Sequence, residues 1–174
     1  LPILETCLGD GEYIVTGIAH ICHPKPGAHD NASGSATLAG NAVALARIFN
    51  KINANTKLCL YWVPEYTGTI ALFKNRLLSI ENVVGVLNLD MVGSKQDITG
   101  SSLHIIRSMI EYMGALTPFT KLAVEYVYMT SRTFHGQPAI GNIRFDETPY
   151  GNGSDHDVFL VNNIEGVMLN EWPS

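Results

Sequence analysis

Apolar and polar positions fall in blocks along this chain, and the period of the blocks changes. Residues 13–20, YIVTGIAH, are apolar and β-branched, which predicts a buried strand delivering His20 at its C-terminal end. From Asn31 to about Asn50 the period lengthens. Leu38, Ala42, Leu45 and Phe49 form one stripe of a predicted helix, and Ala32, Ser33, Gly34, Ser35 and Ala36 keep its start slim enough to lie close on a sheet. KLCLYWV (57–63) reads as a second strand running into PEYTG, with a helix over roughly 68–78 after it. VVGVLNLD (83–90) is a third strand and again ends on a carboxylate. Leu103, Ile106, Ile110 and Met113 predict a further helix, stopped near Gly114 and Pro118. LAVEYVYM (122–129) fits a strand or a helix, GNGSDHDVFLVNN a turn into a short helix, and GVMLNE (166–171) a last strand.

Strands alternating with helices imply an α/β fold, a three-layer sandwich around a mixed, mostly parallel sheet, formed by residues 1–174 as a single domain. Ligands of such sheets bind at the C-terminal edge of the strands. Four polar segments fall there: His20, Cys22 and His23 with Asp30; Glu65; Asp90; and Asp155 with His156.

Composition narrows the partners. Hydrophobic residues make up 46% and charged residues 16%, an ordinary globular balance, and the net charge of −5 with no basic cluster argues against nucleic acid or an anionic membrane. No apolar run approaches the roughly 18 residues of a membrane span. Cys7, Cys22 and Cys59 are odd in number and irregular in spacing, so no disulfide framework is expected. A reducing compartment is the expectation from that, and a cytoplasmic one from the lack of a visible signal pattern. The chain starts without Met or a signal pattern and is read as cut at both ends from a longer protein, which leaves room for further domains.

Histidines and carboxylates together form the usual ligand set for zinc, and a carboxylate that is not a ligand can act as general base. Simpler readings stand beside this one. Asp30 before a helix suits an N-cap, Asp90 a turn, and Cys22 either a small buried side chain or a thiol nucleophile with a neighbouring histidine. His29, His104 and His135 are expected outside the chemistry.

GAHDNASGSA, PEYTG and LNLDMVG, in this order, resemble the zinc aminopeptidase family, from about residue 12 to the end. That family includes bacterial leucine aminopeptidases, glutamate carboxypeptidase II and the non-enzymatic transferrin receptor. The CHP segment with PE-x-T-G resembles a less studied, aminopeptidase-like branch. The resemblance implies a zinc exopeptidase cleaving a peptide or related amide bond. It makes His20 and Asp90 ligands of one zinc, Asp30 a carboxylate bridging two, and Glu65 the general base. Asp155 and His156 would line the substrate side.

Three positions depart from the pattern. The family's His-x-Asp reads His20-Ile21-Cys22, and the second glutamate of its Glu-Glu pair reads Tyr66, which is expected on the substrate side. The last histidine ligand would lie beyond NEWPS. Zinc is therefore expected as one ion or two, with Asp30 alone left of the second ion's usual ligands and His23 as a replacement. The alternative is a non-catalytic binding domain or an inactive fragment.

Overall fold

The computed structural model describes residues 2–51, 55–132, 135–138 and 143–173. In chain order the elements are β1 (Leu4–Leu8), β2 (Tyr13–His20), α1 (Gly34–Ala46), β3 (Thr56–Val63), α2 (Thr67–Lys74) and β4 (Val83–Leu89). They continue with α3 (Gln96–Thr99), β5 (Ser101–Ile106), α4 (Leu116–Thr130), β6 (Phe145–Thr148), α5 (His156–Leu160) and β7 (Gly166–Pro173). The strands form one sheet in the order β1-β3-β2-β4-β7-β5-β6.

Strands β3, β2, β4 and β7 run parallel, so their C-terminal ends share one edge. β1 is antiparallel to β3, and β5 is antiparallel to β7. Helices cover both faces, as expected of a three-layer α/β sandwich. On one face Ile18, Tyr61, Val63 and Val86 pack with Leu72 and Phe73 of α2 and Phe159 of α5. On the other, Ala19, Leu60 and Leu89 pack against Leu38 of α1. Because strand side chains alternate, Ile18 and His20 share a face. The strand that builds the core therefore also aims His20 towards the α2/α5 side.

The predicted stripe on α1 is the buried one: Leu38 is 2% exposed and Ala42, Leu45 and Phe49 are half-buried. The helix starts at Gly34, three residues later than expected, because Asp30 and Asn31 hold non-helical backbone angles. Gly34 is required by contact: a Cβ there would lie 2.2 Å from the Leu89 carbonyl oxygen. Ser35 Oγ donates to the His20 carbonyl at 2.9 Å, and Trp62 Nε1 donates to the Ser35 carbonyl at 3.0 Å. The start of α1 is thereby fixed to the ends of β2 and β3.

Two expectations fail here. The helix read from Leu103, Ile106, Ile110 and Met113 is instead strand β5 followed by a short 3-10 turn at Ile110–Tyr112. Pairing with β6 and β7 decides it, and a local period carries no information about those partners. LAVEYVYM lies inside α4, with Pro118 tolerated in its first turn. The disulfide expectation also fails. Cys7 and Cys59 stand opposite each other across β1 and β3, with Cα atoms 4.2 Å apart, and are joined by a disulfide. Strand register brought them together, and sequence spacing does not reveal register. The cysteine argument for a reducing compartment falls with it.

Candidate metal centre

Three loops leave the shared sheet edge and converge. His20 ends β2 and is 1% exposed. Its Nδ1 lies 2.8 Å from the Cys22 carbonyl oxygen, a contact only an N–H can make, so the proton sits on Nδ1 and Nε2 presents a lone pair. That Nε2 is 3.1 Å from Asp30 Oδ1 and 3.3 Å from Asp90 Oδ1. Three acceptors facing one another at close range repel unless something positive lies between them. In the cation-free protein that is a proton. Burial pulls the imidazole down, but the facing Asp90 carboxylate and the Cys22 carbonyl outweigh it and push His20 up to about 10.

A divalent cation fits the same place. The His20, Asp30 and Asp90 donor atoms all lie within 4.8 Å of one another. The 3.1 and 3.3 Å separations are near the ~3.3 Å edge of a tetrahedron built from zinc–nitrogen and zinc–oxygen bonds. Asp30 Oδ1 is buried with no hydrogen-bond partner, as a ligand atom would be. The donor set, one imidazole and two carboxylates, suits zinc.

The carboxylates are held from outside. Ser154 Oγ donates to Asp90 Oδ2 at 2.6 Å and accepts from Asn88 Nδ2 at 2.8 Å. Burial works to raise Asp90, yet the hydrogen bonds from His20 and Ser154 outweigh it and hold its carboxyl below the usual range. Asn31 joins the loops that carry Asp30 and Asp90: its Nδ2 donates to the Leu89 carbonyl at 2.9 Å, and its Oδ1 accepts from Met91 N and Gly34 N, both at 3.0 Å. Asp30 caps no helix; its carboxylate faces His20 and His23 instead.

Glu65 follows β3 and is half-buried, and among the described residues it stands outside the three-ligand group. Its backbone N–H donates to Cys22 Sγ at 3.1 Å. The thiol serves as a backbone anchor, and both neighbouring histidines are turned to other partners, which leaves no dyad. Burial raises the Glu65 carboxyl, against the pull of His20 and with Asp90, Asp155 and Asp30 adding to the rise. The residues after Glu65 and Asp90 both have positive φ: Tyr66 at 53° and Met91 at 59°. Each turns the chain sharply behind a carboxylate at the sheet edge, and such backbone strain clusters at sites.

Tyr66 is clamped at both ends. Its N–H donates to Asp155 Oδ1 at 2.8 Å and its hydroxyl to Asp157 Oδ2 at 2.8 Å. Asp157 Oδ1 also accepts the Tyr150 hydroxyl at 2.7 Å. Asp155 and His156 do not line a substrate surface, since both are wholly buried. Asp155 takes the Thr69 hydroxyl at 2.6 Å, and burial pushes its carboxyl up to about 6 against that bond and the Tyr66 bond. His156 Nε2 meets the Gly151 carbonyl at 3.0 Å, and burial holds its imidazole below the ordinary value. His29 turns to the Glu171 carbonyl at 3.2 Å, and His104 pairs with Asp146 at 2.5 Å, both away from the centre as expected.

The two loops carrying PEYTG and LNLDMVG thus meet the GAHDNASGSA loop around one buried imidazole, and residues 9–173 match the profile of Peptidase family M28. The chain belongs to peptidase family M28. No curated protein matches it. Among solved structures, this M28 chain is similar to the zinc aminopeptidase BSAP from Bacillus subtilis, with TM-score 0.71 and 18% identity over 97% of this chain and 39% of that one. It is similar to the LapA aminopeptidase of Legionella pneumophila, with TM-score 0.67 and 20% identity over 98% and 44%. It also resembles the glutaminyl cyclase of Porphyromonas gingivalis, with TM-score 0.61 and 16% identity over 99% and 62%. At these identities the likeness establishes the fold. The M28 chain spans less than half the length of the two aminopeptidases.

Proposed function

We propose that this chain is the catalytic core of a zinc-dependent exopeptidase of the aminopeptidase type, acting on a peptide or a related amide. The observation that carries the reading is the set of lone pairs of His20 Nε2, Asp30 Oδ1 and Asp90 Oδ1 turned on one another at the sheet edge. Zinc, when bound, supplies Lewis-acid polarisation of the scissile carbonyl and lowers the pKa of a water toward neutrality. Glu65 takes the proton from the attacking water and returns it to the leaving amine. Its raised affinity for a proton suits a group that must first accept and then release one. Cys22 and the Tyr66 turn hold the Glu65 backbone for that task.

The test is Glu65→Gln, with zinc content and hydrolysis of an aminoacyl anilide followed together. Zinc retained at the wild-type level, with the rate down by about 10²–10⁴, is the expected result. Zinc bound with no hydrolysis even in the wild type would make the domain a binding module. An unchanged rate in the variant would remove Glu65 from the mechanism. N-acetylation of the substrate is expected to abolish cleavage. The cytoplasmic setting remains a proposal, checked by fractionation.

A further inference from the structure

Strand register gathers a second group of donor side chains on β1 and β3. Glu5 stands opposite Tyr61, and Cys7 opposite Cys59. Residues two apart on a strand share a face, so the four side chains form one patch. Cys59 also lies beside Thr16 of β2, four residues before His20, which sets the patch back from the His20 centre. Tyr61 holds the Glu5 carboxylate in place: its hydroxyl donates to Glu5 Oε1 at 2.7 Å. Burial, and then that bond, push the Tyr61 hydroxyl pKa up, so it keeps its proton. Cys7 Sγ lies 3.4 Å from the same Oε1. A disulfide sulfur has no proton to donate, so the carboxylate gains no hydrogen bond from Cys7 in this state.

The Glu5, Cys7 and Cys59 donor atoms all lie within 4.8 Å of one another. Two sulfurs and one carboxylate oxygen form a donor set for zinc and similar thiophilic cations once the sulfurs are thiolates. We propose that, after reduction of the disulfide, Cys7, Cys59 and Glu5 bind one thiophilic divalent cation. The same two sulfurs then tie the edge strand β1 to β3 in either redox state, by a covalent bond or through the metal.

The two states exclude each other and interconvert by a balanced step. A dithiol reductant supplies two electrons and two protons and is itself oxidised to its disulfide, while the Cys7–Cys59 S–S bond breaks to give two thiols. Binding the cation releases those two protons to solvent and joins both sulfurs to the metal. In a tetrahedral zinc site with bonds of ~2.3 Å, two sulfurs stand ~3.8 Å apart. Turning the two side chains about their Cα–Cβ bonds provides that separation across Cα atoms 4.2 Å apart. Cys7 is half-buried and Glu5 exposed, so reductant and cation can reach the patch and water can take the fourth place.

The test uses cadmium on the full chain, as the disulfide form and after reduction with dithiothreitol that is removed anaerobically. Metal is counted per chain, and thiolate-to-cadmium absorption is followed in the ultraviolet. The reduced form should hold one ion more than the disulfide form, with a thiolate band that the disulfide form lacks and with the sheet circular dichroism retained. Bound cadmium should also abolish alkylation of Cys7, a readout that needs no variant. Cys7→Ser should lose the additional ion, and Cys22→Ser should keep it. An equal count in the two forms would overturn the proposal. So would an additional ion that Cys22→Ser loses and Cys7→Ser keeps, or a thiolate band that appears only as the sheet signal is lost. The His20 centre contributes the same count in both redox forms, so the outcome bears on this site alone.

Discussion

Ser154 Oγ donates to Asp90 Oδ2 at 2.6 Å, which leaves Oδ1 of the same carboxylate turned to His20 Nε2 at 3.3 Å. One hydroxyl thus sets which oxygen of the carboxylate faces the imidazole. Partners of this kind are typically worth about 10–100-fold in metal affinity. Ser154→Ala is expected to weaken zinc binding by that factor, read by competition with a chromophoric chelator, with the fold unchanged by circular dichroism. Wild-type affinity in the variant would show that the Asp90 rotamer is set by packing instead.

Cation uptake should expel a proton. His20 is raised to about 10, so it is protonated in the cation-free protein at neutral pH. The stabilisation it gains from Asp90 is fully present below its ordinary value of 6.5 and is lost as pH rises through about 10. Zinc must displace that proton, so affinity should weaken by about tenfold per pH unit as pH falls from 8 to 6. Calorimetry in two buffers of different ionisation heat should report about one proton released per first zinc. No buffer dependence would mean that His20 is already neutral.

Asp155 offers a pH test of stability. It is wholly buried and its carboxyl is raised to about 6 from 3.8. The folded chain then holds a proton the unfolded chain releases, so the favourable contribution is complete below 3.8 and disappears as pH rises through about 6. Asp155→Asn keeps an acceptor for Tyr66 N–H and the Thr69 hydroxyl and carries no charge. Relative to wild type it should gain stability between pH 4 and 7, on the order of 2–3 kcal/mol in metal-free protein. Urea melts across that range check it, and parallel curves would place the proton elsewhere.

The Tyr66–Asp157 bond should behave as one unit. Hydrogen bonds to a charged acceptor contribute roughly 1.5–3 kcal/mol. Tyr66→Phe and Asp157→Ala are each expected to cost stability in that range, with the double variant no worse than Asp157→Ala by more than about 0.5 kcal/mol. Losses that simply add would mean the two side chains stabilise the fold separately.

Glu165 tests how α4 is seated on the sheet. It is 6% exposed, and its carboxylate accepts Leu116 N and Thr117 N, each at 2.9 Å, and Thr117 Oγ1 at 2.8 Å. Glu165→Ala leaves buried donors at a helix start unpaired and should cost about 2–4 kcal/mol in urea unfolding. Glu165→Gln, which keeps one accepting oxygen, should lose less. Equal losses would point to the charge rather than the bonds.

How much of this is legible in the sequence depends on whether the deciding contact is local. β2, β3, β4 and β7 are readable because each is an apolar run bounded by polar residues, and His20, Glu65 and Asp90 follow as residues at or just beyond strand ends. The period of α1 is equally plain. Strand β5 is not, because six residues with apolar Leu103, Ile105 and Ile106 fit either period and only β6 and β7 settle it. The Cys7–Cys59 pair depends on register between strands 52 residues apart in sequence. Asn31, Ser154 and Asp157 act through bonds spanning 58, 64 and 91 residues, and nothing around them in the chain announces those partners. Asp155 and His156 were placed on the substrate side by resemblance alone, and their complete burial corrects it.

Asp30 gives one oxygen to each of two imidazoles, and that makes it unlike every other residue of the centre. His20 and His23 each meet a different oxygen of that carboxylate. A change at Asp30 removes both contacts at once. Variants that probe the centre would therefore change the imidazoles one at a time and keep the aspartate fixed as their shared partner.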